Sequence, residues 1–125
     1  MLLEEREYYK PFLYPWAFEF YKKQQQMHWL PEEVPLQDDI KDYKEKLSEG
    51  ERTLIDNIFK FFTQADVDVC CGYAKHYLPT FKQPEVRMML VSYAAMEAVH
   101  QEAYSLLLET LGKSDEMYQE FFDIQ

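Results

Sequence analysis

One uninterrupted run of helix-forming residues constrains the fold of this chain more than any other feature. The run PEVRMMLVSYAAMEAVHQEAYSLLLETLG begins at Pro84, and proline is favoured at the first position of a helix. It reaches Gly112, and glycine is favoured just past a helix end. Neither proline nor glycine occurs between these two residues. The pattern therefore predicts a long helix over 84–111.

A second long helix is predicted before it. Ser48 is a suitable N-cap, and acidic residues follow it in SEGE. Apolar residues then recur at the three-and-four spacing of a helix; they are Leu54, Ile55, Ile58, Phe59, Phe62, Ala65, Val69 and Tyr73. We expect this helix to span 48–77 and to end before Pro79. The short loop between the two helices implies that they are antiparallel neighbours.

The rest of the chain is expected to contain only short elements. Residues 1–47 are predicted to form an irregular arm and short helices, because four prolines interrupt any longer helix; they are Pro11, Pro15, Pro31 and Pro35. A further helix is predicted to start near Ser114, within 114–125. Only 3 glycines occur in 125 residues, which favours helix over sheet. The expected fold class is all-α.

Composition excludes several classes of partner. A formal net charge of −10 argues against nucleic acid and against an anionic membrane surface, both of which attract basic proteins. No apolar run approaches the roughly 20 residues that a membrane-spanning helix needs. The acidic start MLLEEREYYK is unlike a secretory signal peptide. The expected location is the cytoplasm.

Three polar residues interrupt the apolar face of the later helix. Glu97 and His100 are three residues apart, and Tyr104 follows four residues later, so all three lie on one face. Asp66 lies within the apolar face of the earlier helix. It stands 11 residues before the end of its helix, and Glu97 stands 13 residues after the start of the next. We therefore expect the two carboxylates at about the same height in the antiparallel pair.

This grouping suits a metal ion. Carboxylates buried without a compensating charge are costly. Carboxylate oxygens with one imidazole nitrogen suit iron or manganese better than zinc or copper. Glu-x-x-His on bundle helices is typical of ferritin-like di-metal carboxylate proteins. A lone Glu-x-x-His also arises by chance, so the prediction depends on the joint placement of Asp66, Glu97 and His100.

The chain resembles the N-terminal part of the small, radical-generating subunit of class I ribonucleotide reductase. The segment HWLPEEVPLQDDIKDY is similar to a W-x-x-E-E-V/I-D segment of that family. The helix with Asp66, the loop with Pro79 and Pro84–Glu85, and the run EAVHQEAY match as well. The likeness runs from about Tyr14 to beyond Gly112. It implies a ferritin-like helical bundle that is incomplete within this chain.

The resemblance implies a role for five residues. Asp66, Glu97 and His100 would be ligands of one metal ion in a dinuclear iron, manganese or mixed manganese–iron centre. Glu97 would also be placed to bridge to the second ion. Tyr104 matches the tyrosine that becomes the stored radical. Trp29 matches the tryptophan that conducts an electron between the metal site and the surface.

Five other residues with reactive side chains receive no such role. Asp68, two residues after Asp66, points elsewhere on its helix and is expected to be a solvated charge. His28 and His76 have no ligand partners at useful spacing and are expected at the surface or at helix ends. The adjacent pair Cys70 and Cys71 fits neither a disulfide framework nor zinc spacing. Both are expected to be small core or near-core residues.

The chain also lacks parts of the family pattern. Family members are considerably longer, and their second half supplies another Glu, a second E-x-x-H, a further acid in the electron relay and a tail that docks on the large subunit. Three ligands cannot hold two metal ions. The rest would come from a complementary C-terminal half on a second chain, from the remainder of an incomplete piece, or from a second copy. The large subunit, where ribonucleoside diphosphates are reduced, would be a further partner.

The function implied is that of a component of the reductase. The chain would supply half of a dinuclear metal site and a tyrosyl radical for the reduction of ribonucleotides to deoxyribonucleotides. Two alternatives remain open. One is a ferritin-like di-metal oxidase without a stored radical, and the other is a non-catalytic helical fragment or interaction module.

Overall fold

The computed structural model describes residues 1–123, and within that range it contains helices and turns without any strand. The α-helices are α1 (Pro15–Gln26), α2 (Gln37–Glu45), α3 (Glu49–Gly72), α4 (Leu78–Thr80), α5 (Pro84–Thr110) and α6 (Met117–Glu120). Short 3₁₀ turns cover Pro31–Glu33 and Phe121–Asp123. The all-α prediction is confirmed. Residues 124 and 125, the end of the helix predicted over 114–125, lie outside the described range.

Within residues 1–123, none of the helices combines the length and the apolar character needed to cross a membrane.

Local hydrogen bonds explain where the two long helices start and end. The backbone N–H of Glu51 donates to Ser48 Oγ at 3.3 Å, and Glu51 Oε2 accepts the backbone N–H of Ser48 at 2.8 Å. This is a reciprocal capping box at the start of α3. At the end of α5, Gly112 has a φ of +79°, and the N–H of Lys113 donates to the carbonyl of Leu108 at 3.0 Å. The predicted caps at Ser48 and Gly112 are confirmed.

The first long helix continues past the residue at which we expected it to end. After α3, a π-helical segment covers Tyr73–Tyr77, and α4 carries the chain through Pro79 to Thr80. Proline has no N–H to donate, which is tolerated in the first turn of a helix. Pro79 is the second residue of α4, so the switch from α to π geometry before it accommodates the proline.

The chain divides into two compact units, which we describe separately. The first comprises Met1–Trp29 and Asp68–Ala98, and the second comprises Leu30–Val67 and the residues from Val99 onward. In the first unit the core is formed by Ala17 of α1 with Val86 and Leu90 of α5. Partly buried side chains pack around these three; they are Leu2, Tyr14, Tyr73, Leu78, Phe81 and Met89.

A buried ion pair fixes the N-terminal arm in the first unit. Arg6 is 6% exposed, Glu85 is fully buried, and the guanidinium of Arg6 donates to the Glu85 carboxylate. Glu85 also accepts the backbone N–H groups of Leu13 and Tyr14, each at 2.9 Å. Burial alone would raise the pKa of Glu85, but these backbone hydrogen bonds and the charge of Arg6 outweigh it and lower the pKa. The irregular arm is therefore ordered by charge-assisted hydrogen bonds.

In the second unit, α2 is tied to α3 and to the end of α5 by one polar cluster. The hydroxyl of Tyr43 donates to Asp56 Oδ1 at 2.7 Å, and Lys113 Nζ donates to Asp56 Oδ2 at 2.6 Å. The side-chain hydrogen bond with Asp56 raises the pKa of Lys113. The ammonium of Lys113 also lies 5.4 Å from the ring centroid of Tyr43, within cation–π range.

Candidate metal centre

The regular geometry of α5 sets the relative positions of two of the predicted ligands. This helix is continuous from Pro84 to Thr110, so Glu97 and His100 are three positions apart on a regular helix and share a face. Both residues are partly buried. Tyr104 lies four residues beyond His100 on the same face and is also partly buried.

The third predicted ligand lies close to His100 within the second unit. Oδ2 of Asp66 is 4.0 Å from Nδ1 of His100, and the Asp66 side chain is 16% exposed. The side-chain amide of Gln101 donates to the backbone carbonyl of Asp66 at 3.2 Å. This hydrogen bond joins α3 to α5 at the level of the site and fixes the backbone from which the Asp66 side chain projects.

The three predicted ligands together have the spacing of a single ion site. One ligand atom from each of Asp66, Glu97 and His100 lies within 4.8 Å of the other two. Ligand atoms at about 2 Å from a common ion can be up to about 4 Å apart, so small side-chain rotations would bring all three to one ion. Two carboxylates and one imidazole form a hard, anionic donor set that suits iron or manganese.

Tyr104 lies against two aromatic rings of α3. The rings of Phe62 and Tyr104 are stacked, with centroids 5.8 Å apart and planes 15° apart. The ring of Phe59 lies 5.8 Å from that of Tyr104 at 37°. Both distances are typical of favourable aromatic pairs. The apolar periodicity of α3 included both phenylalanines but gave no indication that they pack on Tyr104.

Tyr73 is a neighbour of the site that the sequence did not single out. Burial raises the pKa of Tyr73, and the nearby Glu97 carboxylate raises it further. Its ring lies 6.4 Å from that of Tyr93 on α5. Helical periodicity placed Tyr73 on the apolar face of the earlier helix, but that signal could not distinguish it from a core residue.

Trp29 and the residues to which we assigned no role differ in how far they are exposed. Trp29 is partly buried in the segment after α1. Asp68 is exposed, unlike Asp66. His28 and His76 are both exposed, as expected for surface residues.

The prediction that both cysteines are core or near-core residues is wrong for one of them. Cys70 is partly buried, and its thiol donates to the carbonyl of Ala94 at 3.6 Å. Cys71 is exposed. Adjacent residues on a helix point about 100° apart, so only one of the two can face α5.

Comparison with known proteins gives one consistent family. The family model for the ribonucleotide reductase small chain matches residues 6–125. A probable ribonucleoside-diphosphate reductase small subunit of Invertebrate iridescent virus 6 is 52% identical over 120 residues, which cover 96% of this chain and 33% of the relative. The small subunit of Dictyostelium discoideum is 34% identical over 113 residues, covering 90% of this chain and 33% of the relative. The chain thus spans about a third of the length of these relatives.

Two solved structures share the fold. The ribonucleotide reductase R2 subunit from Clostridium botulinum matches with a TM-score of 0.75 at 28% identity, over 88% of this chain and 34% of that chain. The Rnr4 homodimer structure from Saccharomyces cerevisiae matches with a TM-score of 0.85 at 23% identity, over 98% of this chain and 40% of that chain. The second likeness concerns the fold alone. Both structures agree with the prediction of a partial ferritin-like bundle.

Proposed function

Because the chain belongs to the ribonucleotide reductase small-chain family, we propose that it supplies half of a dinuclear metal site and a tyrosyl radical for the reduction of ribonucleotides to deoxyribonucleotides. The observation that carries this proposal is the group formed by Asp66, Glu97 and His100, with Tyr104 one turn further along α5. The relatives are named as small subunits of ribonucleoside-diphosphate reductase. The cytoplasm remains the proposed location.

The donor set fits one ion of such a centre. Asp66, Glu97 and His100 would hold it, and Glu97 would also bridge to the second ion. Carboxylates that are largely withdrawn from water need a compensating positive charge, and a divalent ion supplies it. Iron, manganese or one of each are the proposed metals, because hard oxygen ligands with an imidazole suit them.

The protein's own residues would position the ligands and exclude water from the phenol. The Gln101 hydrogen bond holds the backbone of Asp66, and the regular helix fixes the spacing of Glu97 and His100. When bound, the di-metal centre would supply the oxidising power to remove one electron and one proton from a phenol. The ring of Phe62 stacks on Tyr104 and shields one of its faces from solvent.

Trp29 is proposed to carry an electron between the metal site and the protein surface. This role comes from the match of Trp29 to the family tryptophan. An indole suits it, because its extended π-system can lose an electron without breaking a bond. Trp29→Phe would therefore slow delivery of an external electron to the site while leaving metal content unchanged.

The second set of ligands is assigned to residues outside positions 1–125. The three ligands here suffice for one ion, and the relatives are about three times as long as the matched region. We propose that a complementary C-terminal half on a second chain completes the site; the alternative is a second copy of this chain, which would contribute its own Asp66, Glu97 and His100. The large subunit would then bind the ribonucleotide and use the radical.

Electron paramagnetic resonance tests the radical role directly. The chain and its complementary half would be loaded with iron or manganese, exposed to dioxygen, and examined for a tyrosyl signal. Tyr104→Phe should abolish the signal. Tyr118→Phe is the matched control, because Tyr118 is a partly buried tyrosine of the same unit whose hydroxyl donates to Ser105 at 3.1 Å.

The same experiment distinguishes the proposed function from the two alternatives. A di-metal oxidase without a stored radical would bind metal and consume dioxygen equally well with Tyr104→Phe. A non-catalytic interaction module would bind no metal even with its partner present. Either result would overturn the proposal.

A further inference from the structure

A cavity of about 420 Å³ lies in the second unit among α2, α3 and the end of α5. Its volume falls in the range of small-molecule sites in proteins, about 300–1,000 Å³. Six apolar side chains form most of the wall; they are Leu36, Leu47, Ile55, Phe59, Leu107 and Leu111. An apolar wall with a few polar groups at its edge is the usual character of a binding site for an organic molecule.

The polar groups at the edge of this cavity are carboxylates. Asp39 and Asp42 both line it, and they lie three residues apart on α2, so they share a side of that helix. Asp42 forms an ion pair with Lys46 at 2.7 Å. No ion pair of Asp39 is found within residues 1–123. Asp39 therefore offers a carboxylate to a cation bound in the cavity.

Neither Lys46 nor Lys113 forms an ion pair with Asp39, because Lys46 pairs with Asp42 and Lys113 pairs with Asp56. Lys113 lies over the ring of Tyr43, which lines the cavity, but its ammonium donates to Asp56 at 2.6 Å. The cavity therefore combines apolar walls with a negative edge.

We propose that this cavity binds a small apolar molecule that carries one ammonium group, of the arylalkylamine class. The apolar body would lie against the leucines and Ile55, and the ammonium would pair with Asp39. A neutral molecule of the same shape would lose that pairing, and an anionic one would be repelled. The proposal concerns a site that requires no metal, so it stands apart from the proposed reductase function.

A ligand bound in the cavity would affect the surroundings of Tyr104 through the ring of Phe59. Phe59 lines the cavity and also lies 5.8 Å, centroid to centroid, from the ring of Tyr104. A ligand that displaced the Phe59 ring would therefore alter the packing around Tyr104.

Binding of tryptamine to the 125-residue chain tests the proposal, with tryptophol as the neutral control in which a hydroxyl replaces the ammonium. Methyl-labelled NMR spectra would follow Ile55, Leu107 and Leu111 during each titration. We expect saturable shifts with tryptamine and binding of tryptophol about fivefold weaker, since one exposed ion pair contributes up to about 1 kcal/mol. Absence of saturable shifts up to about 5 mM tryptamine, or equal affinities for the two compounds, would overturn the proposal.

Two variants locate the site. Asp39→Asn should weaken tryptamine binding about fivefold and leave tryptophol unchanged, whereas the neighbouring exposed Asp38→Asn should change neither affinity. Leu47→Trp, which fills the cavity from a loop position, should abolish binding of both compounds. Equal effects of Asp38→Asn and Asp39→Asn would show a general surface-charge effect and contradict the assignment.

Discussion

Oδ2 of Asp66 lies 4.0 Å from Nδ1 of His100, although the two residues come from different helices. This distance is longer than a hydrogen bond between a ring nitrogen and a carboxylate. It lies within the span of two ligands on one ion, about 4 Å. This distance between Asp66 and His100 is therefore the one expected if a metal ion binds between the two side chains in the functional protein.

Packing of Tyr104 against α3 predicts how its substitutions affect stability. Tyr104→Phe keeps the ring that stacks on Phe62, so the free energy of unfolding should change by no more than about 1 kcal/mol. Tyr104→Leu removes the aromatic pair and should cost about 1 kcal/mol more. Urea unfolding of the two variants checks this difference. Equal stability of the two would show that the stacking contributes nothing.

The buried ion pair of Arg6 and Glu85 predicts a loss of stability in acid. The pKa of Glu85 is lower in the folded chain than its ordinary value of 4.5. Its contribution is therefore complete above pH 4.5 and is lost as the pH falls through the folded-state pKa. Glu85→Gln should destabilise the chain at neutral pH by about 3 kcal/mol, because it leaves the Arg6 charge buried without its partner.

Urea unfolding at pH 7 and at several values below 4.5 measures both effects. The gap in stability between wild type and Glu85→Gln should narrow as the pH falls. Glu5→Gln, an exposed residue of the same arm, is the matched control and should behave like wild type at every pH. A gap that stayed constant with pH would refute the linkage to Glu85.

The cluster around Asp56 predicts a loss of stability in alkali. The pKa of Lys113 is raised above its ordinary value of 10.5, first by its hydrogen bond with Asp56. Its contribution is complete below pH 10.5 and is lost as the pH rises through the higher folded-state pKa. Asp56→Asn should lower the free energy of unfolding at neutral pH by about 2 kcal/mol. Thermal unfolding compares it with the exposed control Asp115→Asn, which should match wild type.

The sequence predicted well those features that depend on regular helical spacing. Ser48, Pro84 and Gly112 mark helix ends because caps act through neighbouring backbone groups, and the structure confirms all three. Residue counts along the two helices predicted Asp66 at the height of Glu97, and Asp66 Oδ2 lies 4.0 Å from Nδ1 of His100, three positions beyond Glu97. The family suggested by these residues is confirmed by the match over residues 6–125.

Long-range contacts of single side chains could not be predicted in this way. Arg6 and Glu85 are 79 positions apart, and no periodicity connects an irregular arm to a helix start. Pro79 predicts a helix end, but a π-helical segment precedes it and the chain stays helical to Thr80. The residue type of Cys71 predicts a core or near-core position, whereas its place on the helix leaves it exposed. The roles of Trp29 and Tyr104 remain predictions from the family resemblance.

The most direct test of the central claim is the affinity of the protein for Mn²⁺, measured by electron paramagnetic resonance titration of the chain with its complementary half. Asp66→Asn and His100→Gln should each weaken binding of one ion by at least about 100-fold, since each removes a ligand rather than a neighbour of a ligand. The exposed residues provide matched controls, and Asp68→Asn and His76→Gln should bind Mn²⁺ like wild type. Unchanged binding in Asp66→Asn and His100→Gln, or equal losses in the controls, would contradict the assignment of this site.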